Sequence, residues 1–236
     1  MSTLPRLENA GMDAWLVRLF DSIDERNMGW ITALVRGCEQ AFGDTLVDLV
    51  PSYTTVLVQY DPLRLGDDQA RQKLQALLAG LTPDRDHADA PLKELPVWYH
   101  PSVGPDMARL ERHTGLAADR LIQLHSEHEY RVFALGFAPG FAFMGSLPAE
   151  LELPRLDTPR PRVPAGSVAI AGRQTSAYPQ VSPGGWNLLG RTSARLFDPH
   201  SKQLSLLQVG DRVRFVPVYK AAFERLGGDT SPMATR

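Results

Sequence analysis

Five arginines, at positions 155, 160, 162, 173 and 191, stand in a stretch (residues 136–191) that has no lysine, histidine or cysteine. A guanidinium is a planar fork that meets a carboxylate or phosphate through two parallel hydrogen bonds. The same stretch holds eight of the 19 glycines and eight of the 19 prolines. Glycine allows close backbone approach, and proline fixes φ and removes a donor. A chain so punctuated is expected to form short strands joined by shaped turns, with arginines held among them. Such a surface suits a small anionic or carbonyl compound, or a partner protein.

Reaction at a carbonyl builds negative charge on its oxygen, which calls for fixed donors aimed at that atom. The candidates are Arg131, Arg160, Arg162, Arg173 and Arg191, with the backbone N–H groups of Gly140, Gly172, Gly184 and Gly185. Arg160 and Arg162 stand out because prolines bracket them in TPRPRVP; Arg191 does so because it follows Gly185, Trp186 and Gly190. Each arginine has the alternative reading of a solvated surface charge, since exposed ion pairs contribute little. Gln174, Thr175, Ser176 and Tyr178 follow the AIAG run and offer hydrogen bonds to an amide, or ordinary turn chemistry. His125 and His128 frame HSEHEYR. Histidine serves as acid or base near neutral pH, or simply favours a helix end. The helix-end reading is preferred for His128, and both remain open for His125. Phe141 and Trp186, set among glycines, fit a pocket wall, an interface with a partner, or core.

Other chemistries lack their residues. There is no Gly-x-Ser-x-Gly elbow, and Gly166-Ser167 lacks the lysine of a phosphate loop. Two histidines without a third ligand do not make a metal site. The net charge of −2 gives no basic field for nucleic acid or an anionic membrane. No apolar run approaches the ~20 residues that span a bilayer. The start, MSTLPRLENAGMDAW, has no signal-peptide pattern, and Cys38 has no partner for an internal disulfide. A cytoplasmic protein is expected.

The elements that position these residues follow from periodicity. Ala14 to Phe20 reads as a strand, Ser22-x-x-Glu25 as a capping box, and Ile31, Leu34, Val35, Cys38 and Phe42 as a helix face. Leu46 to Val50 is a short apolar run, Thr54 to Tyr60 a strand, and Asp67 or Asp68 caps a second helix ending at Gly80. This is a small α+β domain, taken as residues 1–90. The proline-bounded polar run 83–91 is the expected linker. In residues 91–236 a strand at 95–99, helices opening at Gly104-Pro105-Asp106 and Ala117, and strands at 129–135, 195–197, 204–207 and 212–218 point to an all-β barrel or sandwich. The tail after Gly227 is expected to fray.

GFAPGFAFMGSLP, followed by TPRPRVPAGSVAIAGRQTSAYPQVSPGGWNLLGRT, resembles the allophanate hydrolase subunit 1 or KipI-like family. VPSYTTVLVQYDPL, GPDMARLERHTGL and IQLHSEHEYRVFALGFAPG extend the resemblance over nearly the whole chain. It implies an N-terminal α+β domain and a C-terminal cyclophilin-like β-barrel. It also implies one component of an ATP-dependent 5-oxoprolinase, which opens the lactam of 5-oxo-L-proline to L-glutamate. The implied partners are the enzyme's C component (allophanate hydrolase subunit 2-like) and its A component (LamB/YcsF-like). ATP would be held by or shared with a partner, with no metal in this chain and no activity alone. The catalytic candidates are then His125, Arg160, Arg162 and Arg191. Substrate would meet Arg131, Gln174, Tyr178, Gly184, Gly185 and Trp186. The same family pattern occurs in the carboxyltransferase part of urea carboxylase and in an antikinase that inhibits a sporulation histidine kinase. Both remain alternatives, since fold does not fix function.

Overall fold

The computed structural model describes residues 4–84, 90 and 92–233. Most of the expected linker, residues 85–89 and 91, lies outside the described residues. The chain divides into two compact units, Met1–Ala90 and Pro91–Arg236.

The first unit is a four-stranded antiparallel sheet in the order β1 (Arg6–Asn9), β2 (Ala14–Arg18), β4 (Thr55–Tyr60), β3 (Leu46–Pro51). Strand β4 alternates, so that Val56, Val58 and Tyr60 face inward. Helices α1 (Asn27–Phe42) and α2 (Asp67–Ala79) supply the other half of the core. Helix α1 turns in Ile31, Leu34, Cys38 and Phe42, the face that the spacing predicts. Burial pushes the pKa of the Cys38 thiol up to about 12, so it acts as a small hydrophobe. The capping box expected at Ser22 and Glu25 does not start the helix. The chain instead turns around Asp24, whose carboxylate accepts the Arg26 N–H at 2.9 Å, and Arg26 precedes α1 without a side-chain cap. A second helix start does use a side chain: Gln69 reaches back to the Gly66 N–H at 3.2 Å. Strand β1 has no counterpart in the sequence reading.

The second unit is built on seven strands: β5 (Leu92–Trp98), β6 (Tyr130–Leu135), β7 (Ala142–Gly145), β9 (Ser167–Ala171), β10 (Gln174–Ala177), β12 (Asn187–Thr192) and β13 (Arg212–Pro217). They close into a barrel in the order β10-β7-β6-β13-β5-β12-β9. The pairings among them are antiparallel except that of β5 with β13. Helices α3 (Met107–Thr114) and α4 (Ala118–Glu127) contribute Met107, Leu110 and Leu121 to the barrel core. A two-stranded ribbon, β8 (Arg160–Val163) with β11 (Ser182–Gly184), is separate from the barrel sheet.

Strand β9 shows how the sequence writes this architecture. All five residues are buried. Val168 and Ile170 join the barrel core, while Ala169 and Ala171 join a second cluster with Phe141, Val163, Tyr178, Trp186 and Leu188. Side chains alternate along a strand, so this strand is covered on both faces. Small residues on one face leave room for the aromatic rings.

Two expectations in this unit are corrected. Residues 195–207 hold one bridge, Phe197 with Ser205, rather than a pair of strands. Residues 228–233 of the tail expected to fray are anchored, and residues 234–236 lie outside the described residues. The anchored residues follow α5 (Lys220–Arg225), and the Met233 N–H donates to the Ser102 carbonyl at 2.8 Å.

Candidate functional site

The glycine- and proline-rich segment builds an aromatic cluster against the alanine face of β9. Phe141 meets Phe137, Phe143, Tyr178 and Trp186 edge-on, at centroid distances of 4.9–5.7 Å. Such packing suits the ring quadrupoles. Phe141 and Trp186 are therefore core of this cluster, and Arg155 lies over the Trp186 ring at 5.9 Å. Phe137 differs from its neighbours, being 63% exposed with a φ of 68°.

At one edge of the cluster the Tyr178 hydroxyl lies against Gly184. Burial raises the Tyr178 pKa; the Trp186 N–H and the positive charges of Arg155 and Arg160 oppose it. The ribbon holds Arg160 here, because β8 and β11 pair Arg160 with Gly184. Its Nη2 donates to Asp106 Oδ1 at 2.8 Å. Asp106 Oδ2 accepts the Leu188 N–H at 2.8 Å, and the Asp106 N–H donates to the Leu188 carbonyl at 3.1 Å. One carboxylate thus ties the start of α3 to β12 and the ribbon. The second η nitrogen of Arg160 is buried and has no partner among the described residues. A buried, unpaired N–H is costly. Nearby, Arg109 donates to Asn187 Oδ1, and the Asn187 amide donates to the Pro154 and Ile170 carbonyls.

The structure separates the sequence-predicted residues. Arg160, Tyr178, Gly184, Gly185 and Trp186 come together around the ribbon. Gly185 adds its carbonyl to the Leu156 N–H at 2.7 Å. Arg162 is on the same strand and exposed. Gln174 opens β10 opposite Ala171. Arg131 lies on β6, opposite Arg212, and donates to the Gly210 carbonyl at 3.1 Å. Arg173 is spent on the Leu147 carbonyl at 3.0 and 3.3 Å.

Two catalytic candidates, His125 and Arg191, are enclosed. His125 is fully buried, bonded to Tyr99 Oη through Nδ1 at 2.7 Å and to Thr175 Oγ1 through Nε2 at 2.9 Å. Thr175 donates to the Ala169 carbonyl, so its oxygen accepts from Nε2–H, and Nδ1 accepts from Tyr99. The ring stacks on Phe215 at 4.6 Å. Burial pulls its pKa to about 3, with His128 adding to the shift. The buried ring thus has both nitrogens bonded to neighbouring hydroxyls. Arg191 is also enclosed. Its Nη1 donates to the carbonyls of Asp229 at 2.8 Å and Ser231 at 2.9 Å. Burial lowers its pKa, and Asp229 opposes the shift. Arg160 and Arg191, expected to converge with Arg162, pair with different carboxylates, Asp106 and Asp229.

Sequence reading missed Asp106, Arg109 and Asn187 as parts of this neighbourhood. A signal existed for Asp106: an acid directly after Gly104-Pro105 at a helix start. Its partner Arg160 lies 54 residues away, beyond any local pattern.

The model of the family "Carboxyltransferase domain, subdomain C and D" matches residues 5–207. A Bacillus subtilis (strain 168) relative, named as the B subunit of 5-oxoprolinase, is 33% identical over 228 residues, covering 92% of this chain and 95% of the relative. A Haemophilus influenzae protein of the same name is 38% identical over 197 residues, covering 83% of this chain and 88% of the relative. Among solved structures, TTHA0988 matches 87% of this chain at 38% identity, with a TM-score of 0.76. This chain spans 40% of the length of TTHA0988. The chain therefore belongs to the family of the carboxyltransferase domain, subdomains C and D, where these near-full-length relatives are named as 5-oxoprolinase B subunits.

Proposed function

We propose that this chain is the B component of an ATP-dependent 5-oxoprolinase, which converts 5-oxo-L-proline to L-glutamate. The carrying observation is the 33% identity to a 5-oxoprolinase B subunit that extends over 95% of that relative. The expected partners are the C component, of the allophanate hydrolase subunit 2 type, and the A component, of the LamB/YcsF type, in the cytoplasm. ATP is the co-substrate, held by or shared with one of these partners. The barrel is read as cyclophilin-like.

Within the assembly the ribbon edge is the part of this chain that meets substrate. A lactam presents a carbonyl oxygen and, in 5-oxoproline, a carboxylate. Arg160 brings one η nitrogen without a partner among the described residues and one held by Asp106. The Asp106 carboxylate fixes the plane of the guanidinium and offsets its charge. The free nitrogen then acts as a directed hydrogen bond rather than a mobile cation. Charge growing on a carbonyl oxygen, or already present on a carboxylate, strengthens that bond. Trp186 and Tyr178 supply an apolar wall that excludes water. The nucleophile comes from outside this set: His125 is enclosed, and the ribbon edge presents donors rather than a base.

The test is omission and restoration. The A and C components are purified with and without this chain, and ATP- and 5-oxoproline-dependent glutamate is measured. Activity that needs this chain supports the reading. Equal activity without it refutes it.

A further inference from the structure

Among the described residues, two that are not glycine hold a positive φ: Phe137 at 68° and Leu204 at 56°. Each is the middle residue of the same kind of tight turn. The Ala138 N–H closes on the Gly136 carbonyl at 2.8 Å around Phe137, and the Ser205 N–H closes on the Gln203 carbonyl at 2.5 Å around Leu204. Such a closure over one residue at positive φ is the strained form of the γ-turn. Glycine takes this backbone without steric cost, and a bulky side chain there is an outlier. Both side chains are nevertheless large, apolar and turned to water, Phe137 at 63% and Leu204 at 49% exposure. The chain's own core therefore explains neither choice.

The two turns stand at one end of the barrel. Phe137 lies in the loop from β6 to β7, and Leu204 in the loop from β12 to β13. Strand β13 begins at Arg212, opposite Arg131 of the antiparallel β6, so β6 leaves the barrel at the end where β13 enters it. The loops touch, for a Cβ on Gly140 would come within 2.8 Å of the Leu196 carbonyl oxygen and of Phe197 Cβ. Phe197 in turn bridges to Ser205. Leu206, 39% exposed, extends the apolar surface beside Leu204. Phe137 is braced from behind by the rings of Phe141 and Tyr178, at centroid distances of 5.2 and 6.3 Å. A side chain held in this way loses little freedom when it is covered, which is what an interface anchor requires.

We propose that Phe137 and Leu204 are apolar anchors for another folded subunit, which covers this end of the barrel and takes each side chain into an apolar recess. Two projecting side chains on separate loops call for a surface with two recesses, which a protein supplies and a small molecule does not. The occupant is a different protein rather than a second copy. The near-full-length relatives are named as one lettered subunit of an enzyme, and this chain spans only 40% of the longer chain of TTHA0988. The inference rests on the reading of this chain as one component of a 5-oxoprolinase, and adds where on the barrel another component docks.

The test is calorimetric titration of the full chain with the purified A and C components, together with urea unfolding of the chain alone. Phe137→Asn and Leu204→Asn remove the apolar side chain and leave a residue that tolerates positive φ. Leu63→Asn, at a 95% exposed apolar position of the first unit, is the control. The unaltered chain should bind at least one component. Each loop variant should bind that component about tenfold or more weakly, while the control matches the unaltered chain. The urea midpoints of the two loop variants should hold or rise, since the turns are relieved of strain. Full affinity in both loop variants would place the interface elsewhere, and a midpoint that falls in both would make the turns part of the fold. Either result overturns the proposal and leaves the proposed function standing. An unaltered chain that binds neither component overturns both.

Discussion

The Tyr178 hydroxyl lies directly against Gly184, where a Cβ would come within 2.2 Å of the oxygen and 2.8 Å of Cζ. The glycine of the ribbon is thus required by space rather than by a special φ. Gly184 also pairs with Arg160, so the ring sets how closely the arginine's strand approaches the barrel. Gly184→Ala should destabilise the protein by about 1–3 kcal/mol through overpacking. Tyr178→Phe in that background removes the nearest atom and should restore part of the loss, although Cζ still crowds. Urea unfolding of the four proteins of this cycle checks it; additive effects would contradict the contact.

Arg191→Ala should release the tail rather than leave the fold intact. The Asp229 and Ser231 carbonyls lose a charged donor, at a cost of about 1.5–3 kcal/mol. Exchange protection at Met233 should fall together with the thermal midpoint. An unchanged midpoint with retained protection would show that Arg191 does not hold the segment.

His125 makes stability depend on pH in a defined direction. Its folded pKa, about 3, lies below the ordinary histidine value, so the unfolded chain binds more protons between the two. Its contribution is complete above about pH 6.5 and falls toward pH 3 by up to about 1.4 kcal/mol per unit. His125→Gln should flatten this slope while lowering stability at neutral pH. A slope that is unchanged in the variant would place the acid sensitivity elsewhere.

The helices α1 and α2 and the strands β4 and β6 were legible because their signals are local: Ile31, Leu34, Cys38 and Phe42 recur at helical spacing, and β-branched residues fill Thr55–Tyr60. The gathering of Arg160 with Gly184 and Trp186 was also legible, because turn chemistry and arginine placement coincide in one segment. The roles of His125 and Arg191 were not. Thr175 lies 50 residues from His125, and Asp229 lies 38 residues from Arg191. Burial and partners at such separations are properties of the closed barrel, and neither residue type announces them. The covered outer face of β9 was hidden for the same reason: an alanine is silent about what packs on it.

Arg160 separates charge from geometry. Arg160→Lys keeps a cation beside Asp106 but gives up the second η nitrogen. Turnover of the assembled enzyme should fall by about 10- to 100-fold, the loss of one charge-assisted hydrogen bond at the transition state. The unfolding midpoint of the chain should move little. Full turnover in Arg160→Lys would remove the free nitrogen from the site.

On the proposed reading, this chain is one necessary part of a machine that couples ATP hydrolysis to opening of a lactam. The direct measurement is the ratio of phosphate released to glutamate formed, in a mixture of this chain with the A and C components and 5-oxo-L-proline. Phosphate and glutamate are predicted to rise together when all three proteins are present, with no glutamate from this chain alone. Glutamate formed by the isolated chain, or a complete mixture that hydrolyses ATP without forming glutamate, would contradict it.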